Sequence, residues 1–95
     1  SPLRDVYKRQ EEDLDPVFMW HLAYAYGHEE RDKEAQHFFE LAYPTLNTQS
    51  EFLSDYYFYL LEIGHKDKAK SILDKLLEID PSNETWHDEA MRIQS

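Results

Sequence analysis

The chain has 95 residues, 41% hydrophobic and 15% aromatic, which suits one small domain with one modest core. Its 10 Lys and Arg against 20 Asp and Glu give a formal charge of −10, which repels phosphate backbones and sets nucleic acid aside as an expected partner. With no cysteine, disulfides, thiolate zinc sites and thiol nucleophiles are excluded; no apolar run approaches the roughly 20 residues that span a bilayer, so no membrane partner is expected.

In chain order, SPLRDVYKRQ stands apart. It carries Arg4, Lys8 and Arg9 against Asp5, so setting it aside takes the −10 of the whole chain to −12. Asp5 to Gln10 match the translation of a transposase end sequence used in DNA libraries, so residues 1–10 read as a non-native, adaptor-derived segment. The natural chain is expected to begin further upstream, with residues 11–15 a linker or the end of a lost preceding element. Absence of cysteine suits a reducing compartment, and a cytoplasmic location is expected.

Asp15-Pro16 reads as a helix start, with Asp15 as cap and Pro16 in the first turn. The first helix follows over Val17 to His28, and Glu29 to Asp32 form a turn. Lys33 to Tyr43 form a second helix, which Pro44 is expected to terminate, followed by a longer connection. Thr48 to Glu51 reads as a capping box for a third helix over about Ser50 to Ile63. FLSDYYFYLL within it has strand-like composition, but it is apolar nearly all round rather than alternating, which favours a buried helix. Gly64 supplies a left-handed turn, Lys66 to Ile79 form a fourth helix, and Asp80 to Asn83 stop it and cap a fifth over about Glu84 to Gln94.

The helices repeat. Ala35 aligns with Ala69 at an offset of 34 residues, and the same offset pairs Met19 with Leu53, Leu22 with Tyr56, Tyr26 with Leu60 and Phe39 with Leu73. One hairpin cannot bury its apolar stripe alone, so the expected fold is all-α: stacked antiparallel helical hairpins over residues 16–94, with copies 16–49 and 50–83 and a terminal helix 84–94.

These residues resemble the tetratricopeptide repeat family. Ala35 and Ala69 match its small residue early in the second helix. Leu22-Ala23 and Tyr26 match its first-helix positions, Phe39 and Ala42 its second-helix pair, and Pro81 its inter-repeat proline. Tyr57 and Leu76 depart from the pattern by standing where small residues are usual. They imply a second hairpin that crosses at a wider distance or a different angle.

The resemblance implies an α-solenoid fragment whose first helices line a concave groove. In the first copy the groove would present Val17, Trp20, His21, Tyr24 and His28. In the second it would present Glu51, Ser54, Asp55, Phe58, Leu61 and Glu62, and the last helix would add Asp88, Glu89 and Arg92. The implied partner is a protein or peptide segment, basic or apolar, held mainly by Trp20, His21, Tyr24, His28, Asp55, Phe58, Glu62, Asp88 and Glu89. A family subgroup grips acidic C-termini through Lys, Arg and Asn. The matching positions here hold Trp20, Tyr24, Asp55, Thr85 and Glu89, so that clamp is absent.

Two other functions compete with this one. The chain could be a structural segment of a longer array, with Phe18, Leu22 and Ala25 facing a preceding helix and open to self-association. It could also be an appendage of an enzyme. His21 and His28 lie about 10 Å apart along one helix, too far for a shared metal ion. No HExxH or glycine-rich phosphate loop occurs, so no catalytic residue, metal or cofactor is expected.

Overall fold

The computed structural model describes residues 14–94. The adaptor-like residues 1–10 and residues 11–13 of the linker lie outside the described residues. Among those described, the chain forms five α-helices and no strand. They are α1 (Pro16–His28), α2 (Asp32–Leu46), α3 (Ser50–Glu62), α4 (Lys66–Ile79) and α5 (Glu84–Gln94).

α1 starts where a cap and a proline coincide. Asp15 is extended at φ −60 and ψ 132, and its Oδ1 accepts the Val17 amide at 2.7 Å. Pro16 fills the first helical position, where a missing N–H costs nothing. α5 starts in a similar way: Asn83 Oδ1 accepts the Trp86 amide at 3.3 Å, while its Nδ2 donates to Asp80 Oδ2 at 3.1 Å.

The two hairpin turns are copies of each other. Arg31 N donates to Tyr26 O at 3.0 Å and His65 N to Leu60 O at 2.8 Å; Glu30 N reaches Gly27 O at 3.2 Å and Gly64 N reaches Leu61 O at 3.1 Å. Each partner is shifted by the same 34 residues. Both turns need one residue in the left-handed region: Gly64 at φ 83 and Glu30 at φ 58. Glycine takes that conformation without a Cβ clash, whereas Glu30 takes it at a cost.

Two expected boundaries are corrected. Pro44 does not end α2; it lies inside the helix, which continues to Leu46. In the last turn the lost N–H removes a single backbone bond, and the extra residues bring Leu46 into the core, where it is 7% exposed. Burying that side chain is worth about 1.5–3 kcal/mol, enough to offset the loss. The connection to α3 is therefore short, residues 47–49. Nor do Thr48 and Glu51 form a capping box. The cap is Gln49, which makes no side-chain capping bond. The start of α3 is set by Phe52 and Leu53, both fully buried.

α3 is the middle of the core. Phe52, Leu53, Tyr56, Tyr57, Tyr59 and Leu60 are all buried on a helix of 13 residues. On one side Phe39 of α2 stacks on Tyr56, with centroids 4.8 Å apart and planes at 9°. On the other, Tyr57 meets Trp86 of α5 edge to face at 6.1 Å. In the first hairpin Ala23, Ala35 and Ala42 are fully buried at the helix crossing. In the second, Tyr57 and Leu76 occupy the places of Ala23 and Ala42, and both are fully buried too. The backbones of α3 and α4 make fewer close approaches than those of α1 and α2, in keeping with the larger side chains between them.

The hydroxyl of Tyr57 donates to Glu89 Oε1 at 3.0 Å, and Glu89 also pairs with Arg92 at 3.3 Å. Tyr59 donates to Asp32 Oδ1 at 2.7 Å. Burial, then the neighbouring carboxylate, pushes both phenols well above the ordinary tyrosine range. On the outer side of α1, Phe18 is half exposed, Ala25 exposed and Leu22 half-buried.

Replacing Glu30 by glycine is expected to raise stability by about 0.5–1 kcal/mol in urea unfolding, by removing the left-handed strain. An unchanged or lower midpoint would show that the Glu30 backbone is not strained. A second expectation concerns alkali. The folded phenols of Tyr57 and Tyr59 resist ionisation, so their stabilising contribution is full below the ordinary tyrosine pKa and is lost as pH rises beyond it. Above about pH 10, stability should fall by up to about 1.4 kcal/mol per pH unit for each tyrosine. Tyr57→Phe should flatten that slope, and equal slopes in the two proteins would contradict the assignment.

Candidate functional site

α1 and α3 lie side by side and share one polar tie across the repeat boundary. Trp20 Nε1 donates to Asp55 Oδ2 at 2.8 Å. The Trp20 ring stands edge-on to Phe52, with centroids 5.8 Å apart at 88°. Further along α1, the His28 ring meets Tyr24 edge to face at 4.4 Å. These are helical spacings, so the side chains stack along one face of α1.

Between this face and α3 lies an open cleft of about 270 Å³. Of the residues expected from sequence, Tyr24, His28, Asp55, Phe58 and Glu62 all line it. Tyr24 and Phe58 are half exposed, at 53% and 45%. Trp20 abuts the cleft through its bond to Asp55. His21 is exposed, with its ring tilted against Trp20 at 6.2 Å. Asp88 is exposed on α5. Glu89 is turned to the interior, 7% exposed and bonded to Tyr57, so it serves the core.

The floor of the cleft was not visible in the spacing of polar residues. It consists of Ala23 and Gly27 on α1, with Phe39 and Tyr59 behind them. A Cβ at position 27 would sit 3.3 Å from the Tyr59 ring. Tyr59 in turn is pinned by its bond to Asp32, so it has little room to yield. A lone glycine inside a helical pattern was the available signal, since it costs helix stability and so points to a packing or functional reason. A second concavity of about 300 Å³ opens beside the start of α3, bounded by Glu51, Ser54, Asp80 and Trp86. Asp55 borders both.

Charge is divided between the two sides of the molecule. α1 and α3 contain no Lys or Arg. Arg31 and Lys33 sit at the turn into α2, and Lys66, Lys68, Lys70 and Lys75 are on α4. Lys68 pairs with Glu40 at 2.7 Å and lies over the Tyr56 ring at 5.7 Å; Lys75 lies over the Tyr43 ring at 5.7 Å. Burial lowers the pKa of Lys68, but Glu40 and Tyr56 outweigh it and hold the ammonium charged. Lys68 and Lys75 are thus engaged with tyrosine rings beside α4, while the cleft carries the carboxylates of Glu30, Asp55 and Glu62.

Among the described residues, no group of three or more His, Cys, Asp and Glu is placed to hold a metal ion. No described helix is long and apolar enough to cross a membrane.

Comparison with known proteins gives a family match over residues 16–83, described as YpiA-like C-terminal tetratricopeptide repeats. The TPR repeat-containing protein YpiA of Bacillus subtilis (strain 168) is 39% identical over 80 residues. That alignment covers 84% of this chain and 19% of the relative, so the chain spans about a fifth of that protein's length. No solved structure matches the chain significantly.

Trp20→Phe keeps a ring against Phe52 but removes the donor to Asp55. The expected cost is about 1–2 kcal/mol in urea unfolding, because a part-buried carboxylate oxygen loses its partner. Asp55→Asn, which retains an acceptor oxygen, should cost less. A neutral Trp20→Phe would show that the tie contributes nothing.

Proposed function

The chain belongs to the family of YpiA-like C-terminal tetratricopeptide repeats, whose repeats serve generally as protein–protein interaction scaffolds; on that footing we propose that its α1–α3 groove docks a basic, partly apolar segment of a partner protein. The observation that carries this is the absence of any Lys or Arg from α1 and α3, against four lysines on α4. The resulting field favours cationic segments in the groove and disfavours acidic ones.

Tyr24 and Phe58 supply the apolar part. Half-exposed rings give contact area at a small entropy cost, which is how aromatic anchors work at interfaces. Trp20 and Asp55 hold the two helices at a fixed separation, so the groove is formed before a partner arrives. An inert segment of an array would have no need to keep cations off one face. That segregation favours the docking reading over the structural one.

The direct test uses two labelled peptides of equal length, one built from Arg, Lys and Leu and the other with Glu in place of each cation. Only the basic peptide is expected to bind, with affinity falling as salt is raised. Glu62→Lys should weaken it at least severalfold while leaving the fold intact. Equal binding of both peptides, or binding indifferent to Glu62→Lys, would overturn the proposal.

A further inference from the structure

Resting on that reading, we infer that the cleft between α1 and α3 is an anchor pocket for a single arginine side chain of the docked segment.

Size is the first argument. At about 270 Å³ and open to solvent, the cleft lies at the small end of the roughly 300–1,000 Å³ range of pockets that hold small molecules or cofactors. It matches one long side chain entering from a chain laid along the groove. Ala23 is fully buried beneath it, and the Tyr59 ring, fixed by Asp32, fills the space a Gly27 side chain would take, 3.3 Å from where the Cβ would sit, which gives the cleft a rigid floor.

Chemistry is the second argument. The walls combine exposed aromatic rings, Tyr24 and Phe58, with the carboxylates of Asp55 and Glu62. Arginine answers both at once: its flat guanidinium stacks on aromatic faces and presents several donors to carboxylates, while its methylene stem covers apolar surface. A lysine ammonium, more strongly hydrated and unable to stack, answers only the charge. Asp55 commits Oδ2 to Trp20, and Glu62 is in no ion pair among the described residues, so its charge is available to a ligand. No Lys or Arg of α1 or α3 competes for the place.

The experiment is selection of a random peptide library against the whole chain, followed by titration of an enriched peptide and its single-residue analogues. Enriched peptides should share one arginine. Replacing it by citrulline, which keeps the shape and removes the charge, should cost about tenfold or more in affinity, the loss of a charge-assisted contact. Lysine in its place should cost less than citrulline but more than nothing. Glu62→Gln and Tyr24→Ala, both at exposed positions, should each remove most of the difference between the arginine and citrulline peptides. Peptides that bind the groove and respond to Glu62→Lys yet need no arginine would overturn the anchor pocket and leave the docking function standing. A library that yields no groove-dependent peptide would overturn both.

Discussion

The burial of α3 is the constraint on which the rest of the structure depends. This helix is apolar on nearly every side, so it is stable only when covered on nearly every side. The first hairpin covers one flank through the stack of Phe39 on Tyr56, and α4 and α5 cover another through Leu73, Leu76 and Trp86. Each fully buried side chain on α3 contributes about 1.5–3 kcal/mol before conformational entropy is subtracted. Neither hairpin could meet that need alone. The polar ties at its surface follow from the same position: Asp55, Tyr57 and Tyr59 each reach a different neighbouring helix.

The cleft is a by-product of that arrangement. α3 must lie against α1, and Gly27 lets the Tyr59 ring pack against α1 at the base of the cleft between them. The charged side chains then divide by side. Lys68 and Lys75 of α4 lie over the rings of Tyr56 and Tyr43, and the cleft is left acidic. Glu30 belongs to both accounts: its backbone is held in the left-handed region at the hairpin turn, and its side chain borders the cleft.

Local signals in the sequence were enough wherever local chemistry decides. Asp15-Pro16, Gly64 and Asp80 to Asn83 each carry their own cap or turn geometry, and the helices begin and end at them. They failed where burial decides. Pro44 is a local stop signal overruled by the core position of Leu46, and the Thr48–Glu51 motif was overruled by Phe52 and Leu53. The family resemblance placed Tyr24, His28, Asp55, Phe58 and Glu62 along one groove, and they do share one cleft. The inward turn of Glu89 was not legible, because it depends on Tyr57, a departure from the repeat pattern, reaching across from another helix. The base of the cleft was not legible either, since it depends on the Tyr59 ring of α3 packing against Gly27 of α1.

The central claim is that α3 fuses both hairpins and the last helix into one cooperative body. The two tryptophans are placed to test it, Trp20 in the first hairpin and Trp86 at the far end against Tyr57. Urea unfolding followed by fluorescence in two variants, one retaining only Trp20 and the other only Trp86, reports on each end separately. After correction for the stability of each variant by circular dichroism, the fluorescence and helix signals should coincide in both. A Trp20 transition separated from the loss of the remaining helices would mean that the hairpins melt independently, and the groove between them would have no fixed shape to recognise anything.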